Sequence, residues 1–153
     1  MKIELGGLDH PQVINLLQQH LADMHKTSPK ESVHALDLSG LKAPEIEFYG
    51  VWKGNQIAGC GAIKYHDQVF AEIKSMRTSE AFRGLGVASR LLSFLLEQAK
   101  SKGLQQVKLE TGTQTYFHAA HQLYKKFGFT DCPPFADYRL DPNSRYMSLS
   151  LTV

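Results

Sequence analysis

Hydrophobic residues change their period several times along this 153-residue chain, and each change marks an element. Lys2 to Leu5 predicts a short opening strand. Val13, Leu16, Leu17, Leu21 and Met24 then recur at helical spacing behind Pro11, which a first helical turn tolerates because its missing N–H would lack a partner there. Ser28-Pro29-Lys30-Glu31 predicts a second helix, with Ser28 as N-cap and Glu31 closing a capping box, ending near Leu38 ahead of Gly40. Residues 46–53 and 56–65 form a hairpin pattern turned by Gly54-Asn55. A strand follows from Val69 to Thr78, then a helix from Leu85 to Lys102 that turns Val87, Leu91, Phe94, Leu95 and Ala99 inward and stops at Gly103. Gln106 to Thr111 reads as strand, Tyr116 to Phe127 as helix and Arg145 to Leu151 as a closing strand.

Two helices, a hairpin, then strand–helix–strand–helix–strand is an α+β layout around a mixed sheet. The length predicts one domain, residues 1–153, able to bury its core without staples. Hydrophobic content of 42% and charged content of 21% suit a globular protein. A formal charge of +2, with no basic run longer than Lys125-Lys126, gives no reason to expect a nucleic-acid partner. No apolar stretch approaches a membrane span and no signal-peptide pattern opens the chain, so a cytoplasmic protein without membrane attachment is expected. Cys60 and Cys132 are far apart in sequence and lack metal-ligand spacing, which predicts reduced thiols. There is no internal repeat or linker.

The segment from Met76 to Leu92 carries the most specific pattern. A strand end (Met76-Arg77-Thr78) leads to Arg83-Gly84-Leu85-Gly86, then to Val87-Ala88-Ser89 at the start of an apolar helix. Gly84 and Gly86 reach backbone angles that other residues adopt only at a cost, and they leave room for a ligand. The helix start offers unpaired N–H groups at the positive end of a dipole, a setting suited to a diphosphate. A Walker loop would require Gly-Lys-Ser/Thr, and a Rossmann fingerprint a third glycine after the first strand; neither is present.

Arg83-x-x-Gly86-x-Ala88 resembles the acetyl-CoA signature of the GNAT superfamily of N-acetyltransferases, and Leu123-Tyr124-Lys125-Lys126-Phe127-Gly128-Phe129 resembles the motif closing that family's fourth helix. The two motifs stand in the family's order and separation, and the resemblance covers roughly Lys53 to Val153. It implies a mixed, mostly antiparallel central sheet with helices on both faces. It also implies that the strands ending at Thr78 and Thr111 splay apart to admit the pantetheine arm, with the backbone of Met76, Arg77 and Thr78 pairing with its amides. Arg83, Gly84, Leu85, Gly86, Val87, Ala88 and Ser89 would hold the pyrophosphate. The family commonly has an asparagine where this chain has Phe117, so one cofactor contact is in question.

Acetyl transfer to an amine requires a neutral amine, stabilisation of the thioester oxygen and a proton for the leaving thiolate. By the resemblance, Tyr124 supplies that proton, a phenol near pKa 10 matching the thiol; alternatively it only packs on a stripe with Phe117, Ala120 and Phe127. Alternation puts Val69, Ala71 and Ile73 on one strand face and Glu72, Lys74 and Met76 on the other. Glu72, eleven residues before Arg83, has the spacing of the catalytic glutamate in histone acetyltransferases. It is either a base relaying a proton or a solvated carboxylate paired with Lys74 or another cation.

Glu110, Thr111 and Gln114 end the second splayed strand and are placed to face the amine. Tyr138, with His34, His66 and Arg139, is a candidate for the acceptor pocket, shaped by the rigid loop from Pro133 to Pro142. His118 and His121 share a helix face but have no third ligand, so no metal is expected. The implied activity is acetyl-CoA-dependent N-acetylation of a small-molecule primary amine by direct attack in a ternary complex, since neither motif holds a cysteine. The alternatives are a non-catalytic acyl-CoA-binding module and an enzyme acting on protein N-termini or lysines. A monomer or homodimer is expected.

Overall fold

The computed structural model describes residues 1–151. In chain order the strands are β1 (Lys2–Leu5), β2 (Ile46–Lys53), β3 (Gln56–Tyr65), β4 (Phe70–Thr78), β5 (Gln106–Gly112), β6 (Thr130–Asp131) and β7 (Ser144–Ser150). The helices are α1 (Pro11–Thr27), α2 (Leu38–Leu41), α3 (Val87–Ser101) and α4 (His118–Lys126). One sheet holds all seven strands in the order β1-β2-β3-β4-β5-β7-β6. Every pairing is antiparallel except β4 with β5, which are joined through α3 and run parallel. No helix among the described residues is long and apolar enough to cross a membrane.

Turn chemistry explains the hairpin. Gly54 adopts φ +57°, the left-handed angle that a two-residue turn demands, and Lys53 pairs with Gln56 across it. Pro11 opens α1, and the side chain of His10 accepts from the Gln12 N–H to cap it. Gly103, at φ +75°, ends the turn after α3.

The sheet separates two cores. On one face α3 presses Leu91, Leu92 and Leu95 against Ile63, Ala71 and Ile73, with Tyr124 of α4 and Phe129 in the same cluster. On the other, Val13, Leu16 and Leu17 of α1 cover Phe48, Cys60 and Ala62. Truncating any of the fully buried leucines of α3 to alanine costs roughly 2–5 kcal/mol by the usual cavity penalty.

Three local expectations are corrected. The helix predicted from Ser28 to Leu38 does not form. Ser28 is instead the C-cap of α1, and Pro29 precedes a single 3-10 turn, Lys30–Ser32, with no side-chain cap. The chain then runs extended until Asp37 caps the four-residue α2 by accepting from the Gly40 N–H. Competing side-chain bonds hold it open: the Ser32 hydroxyl donates to Asp141 at 2.6 Å. Second, β6 was not anticipated, because two residues are too few to show a period.

Third, Met76 does not share a face with Glu72 and Lys74. Ser75 adopts φ +55°, a left-handed angle unusual for a residue with a side chain, and the β3–β4 register slips between Cys60 and Ala62. After this bulge Met76 packs on the α3 side with Leu91. Arg77 turns to the α1 side, where its Nη1 donates to Asp23 at 2.7 Å.

Candidate active site

The parallel strands β4 and β5 pair from Phe70–Gln106 to Ile73–Leu109 and then part. Beyond the fork, Lys74 to Thr78 and Glu110 to Gly112 line a cavity of about 590 Å³. Its wall continues from the loop before α3, through the parted strands, to α4 and to His20, Met24 and the 32–35 segment. Met76, Arg77 and Thr78 thus border the gap with a strand edge that β5 no longer pairs.

At the loop end, Gly84 and Gly86 hold φ of +78° and +81°, and a Cβ at either would meet nothing within 4 Å. The requirement for glycine is therefore backbone conformation, and the space beside each stays open. Gly86 is the N-cap of α3 and has no side chain to satisfy the first-turn amides, which leaves them available to an anion. Arg83, Gly84, Gly86, Val87, Ala88 and Ser89 line the cavity. Leu85 does not, and its side chain is 58% exposed.

Tyr124 lines the same cavity, and its ring meets Phe129 edge-on with centroids 5.7 Å apart. It packs in the core, as one of its two sequence readings has it, and its hydroxyl has no hydrogen-bond partner among the described residues. Burial, with the charge of Glu110 added, pushes the phenol up to about 12, higher than the value near 10 expected from the sequence. Glu110 lines the cavity across from β4. Burial raises its carboxyl to about 7; Ser144 and Lys74 pull it down, while Glu72 and Asp141 push it up.

Glu72 also lines the cavity, yet it is 2% exposed and bonded at both oxygens. Its Oε1 lies 2.8 Å from His66 Nε2. Its Oε2 accepts from Lys74 Nζ at 3.2 Å and from the Tyr138 hydroxyl. The pairing with Lys74 foreseen as one of its two roles is present, without the solvation expected of it. Lys74 also donates to Tyr138 at 2.9 Å, closing a three-residue ring of polar contacts. Tyr138, His66 and Arg139 line a neighbouring cavity of about 500 Å³ that shares His34, Glu72 and Lys74 with the main one, and Tyr138 does not line the main cavity itself.

Gln114 does not line either cavity. Its amide donates to Asn143 Oδ1 at 3.0 Å, and Ser28 donates weakly to its Oε1 at 3.4 Å, tying the end of α1 to the loop before β7. Thr111 does line the main cavity, as does Phe117. The Phe117 ring lies so close over Gly112 that a Cβ there would fall 2.2 Å from it. His121 contacts the Gly112 carbonyl at 2.7 Å. Cys60 is buried in the core, its thiol pushed up to about 12 by burial.

The sequence did not reveal the α1 wall. His20 falls on the helical stripe of Val13, Leu16 and Leu17, and its position there is the one available hint; burial and the nearby Arg77 lower its imidazole to about 4, so it stays neutral. Asp23 and Tyr116 were also missed. Both contact Arg77 Nη1, whose side chain is 6% exposed.

Comparison with known proteins gives a consistent result. Residues 12–129 match the model of the acetyltransferase (GNAT) family. The chain is 50% identical over 149 residues to the uncharacterized N-acetyltransferase YedL of Escherichia coli K12, covering 97% of this chain and 94% of that one. It is 46% identical over 151 residues to the uncharacterized N-acetyltransferase YsnE of Bacillus subtilis 168, covering 99% and 100%. A Bacillus subtilis acetyltransferase solved in complex with CoA superposes with a TM-score of 0.72 at 21% identity, covering 99% of each chain.

Proposed function

The chain belongs to the GNAT acetyltransferase family and is an N-acetyltransferase, and from that premise we propose that it moves the acetyl group of acetyl-CoA to the primary amine of a small molecule, by direct attack in a ternary complex. The observation that carries this reading is the continuity of one cavity. It begins at a glycine loop with open space beside Gly84 and Gly86, passes between parted strands, and ends under α1 and the 32–35 segment.

The chain's residues fit the donor. Amides at the start of α3 face an anion with no competing cap, and Arg83 adds a cation at the cavity edge. The unpaired edge of Met76 to Thr78 offers backbone groups to the amides of a pantetheine arm. Acetyl-CoA supplies the activated thioester. Tyr124 holds a proton near its sulfur; with its pKa raised, the phenol stays protonated throughout the neutral range. The acceptor end is walled by His20, Met24 and Ser32 to Ala35, a pocket suited to a compact amine.

The test is thiol release from acetyl-CoA across small amines, free amino acids and peptides. Turnover with compact amines and none with peptides is expected. Turnover confined to peptides would redirect the acceptor assignment, and thiol release indifferent to every amine would leave a donor-binding module instead.

A further inference from the structure

Two carboxylates line the cavity, and one of them already accepts hydrogen bonds at both of its oxygens. We propose that Glu110, on β5, rather than Glu72, on β4, takes the proton from the acceptor ammonium before attack. This rests on the acetyl-transfer reading above and assigns within it a catalytic base.

The geometry separates the two groups. A base accepts a proton at an oxygen that can approach the substrate nitrogen. In Glu72 one oxygen meets His66 and the other meets both Lys74 and Tyr138, so a substrate amine would compete at either oxygen with a hydrogen bond or an ion pair already made. Displacing either from a carboxylate that is 2% exposed is costly. Glu110 takes part in none of the ion pairs among the described residues, and the nearby Ser144 hydroxyl reaches no acceptor within hydrogen-bond geometry. Its remaining lone pairs are open to the cavity it lines.

Position supports the same assignment. Glu110 is the first residue of β5 past Leu109, the last to pair with β4, so it stands at the mouth of the fork. It lies near enough to Tyr124 to raise that phenol. Base and acid therefore stand together on the β5 and α4 side, while Glu72 faces them from β4. The groups around Glu110 are Lys74 and Glu72 of β4, Tyr124 of α4, Asp141 and Tyr138 of the loop before β7, and Tyr146 and Ser144 of β7. One cation among these neighbours, already shared with Glu72, leaves Glu110 a held carboxylate without a dedicated partner, and an alkylammonium ion supplies one.

The protons balance. Glu110 removes one proton from the ammonium, and the freed nitrogen pair forms the C–N bond to the thioester carbonyl carbon. The C–S bond breaks, with its electron pair going to sulfur. Tyr124 hydrogen-bonds to that sulfur as its charge develops, and the sulfur takes its proton from the new amide nitrogen. The proton left on Glu110 passes to solvent, so each turnover releases amide, thiol and one proton.

The experiment compares wild type, Glu110→Gln and Glu72→Gln in two independent readouts. The first is a carboxyl carbon-13 titration of the free protein, with Glu110 assigned by its loss in E110Q. A midpoint near 7 is expected, lower in E72Q because the like charge is gone. A midpoint near the ordinary glutamate value of about 4.3 would overturn the assignment. The second is the pH profile of kcat/KM with acetyl-CoA and two probes, benzylamine, protonated at neutral pH, and aniline, neutral there. E110Q should lose the acid limb and fall about a hundredfold with benzylamine at pH 7, and much less with aniline. E72Q should keep the limb. A limb that survives in E110Q and vanishes in E72Q, or equal losses with both amines, would overturn it. If the wild type turns over neither amine, the same pH profiles are read with the best amine from the thiol-release screen. Failure of acetyl-CoA to bind in calorimetry would remove the transferase reading while leaving the titration result standing.

Discussion

Replacing Tyr124 by Phe deletes one hydroxyl and keeps the ring against Phe129. The hydroxyl has no partner among the described residues, so its removal orphans nothing, and stability should change by less than about 1 kcal/mol, a few degrees in Tm at most. The kinetic effect follows from the phenol being held at about 12. Against a thiol near 8.5, complete proton transfer is uphill by about 3.5 pK units, or about 5 kcal/mol. What the hydroxyl can offer cheaply is a charge-assisted hydrogen bond to sulfur as its charge develops. Such a bond contributes about 1.5–3 kcal/mol, so turnover should fall roughly ten- to a hundredfold. The assay is steady-state thiol release, with calorimetry to show unchanged acetyl-CoA affinity. Thioesters with more acidic leaving thiols develop less need for the bond and should be less sensitive to the mutation. A mutant within twofold of wild type, or equal sensitivity across the thiol series, would refute the role.

Three further outcomes are expected. Gly86→Asp puts a side chain at φ +81° and a carboxylate beside the anion-binding amides; acetyl-CoA affinity measured by calorimetry should drop at least tenfold in a folded protein, and unchanged affinity would remove the loop from the donor site. Asp23→Ala strands the buried Arg77 guanidinium and should cost about 2–3 kcal/mol in denaturant unfolding at pH 7, less than a fully buried pair because Asp23 is 29% exposed. Arg77 holds the Asp23 carboxyl below its usual range, so this stability is present above the unfolded pKa and lost as pH falls through the folded one; the gap between mutant and wild type should close in acid, and a gap constant with pH would deny the pair. Gly112→Ala drives a Cβ into Phe117 and should destabilise by about 1–3 kcal/mol, with Phe117→Leu partly restoring Tm; an undisturbed melt would mean that the ring moves freely.

Much of this architecture was legible because its signals are local. The hairpin around Gly54-Asn55, the Pro11 start of α1 and the glycine loop before α3 each depend on residues within a few positions of one another. The failures share a different cause. The helix expected at Ser28–Leu38 satisfied a local capping pattern, but Ser32 and Asp141, 109 residues apart, bind each other. Site chemistry was legible by residue and not by state. Tyr124, Glu72 and Glu110 were all singled out, but whether a carboxylate is occupied or open depends on His66, Lys74 and Tyr138 arriving from three segments. No spacing rule encodes that. Gln114 was misplaced for a similar reason: it follows the strand end in sequence, yet its amide is spent on Asn143.

A strand's alternation of inward and outward side chains works like a reading frame, and Ser75 is a frameshift within it. With the bulge, Met76 falls to the oily side under α3 and Arg77 to the side where Asp23 waits. Flatten the bulge with Ser75 still in the chain and every later position of β4 changes sides: a guanidinium would be read into the apolar core, and its carboxylate partner would be left without a cation. Deleting Ser75 is the milder lesion, because Lys74 and Met76 already face opposite sides and would then follow one another in ordinary alternation. The extra residue and the bulge that absorbs it therefore belong together, and either one without the other would be out of frame.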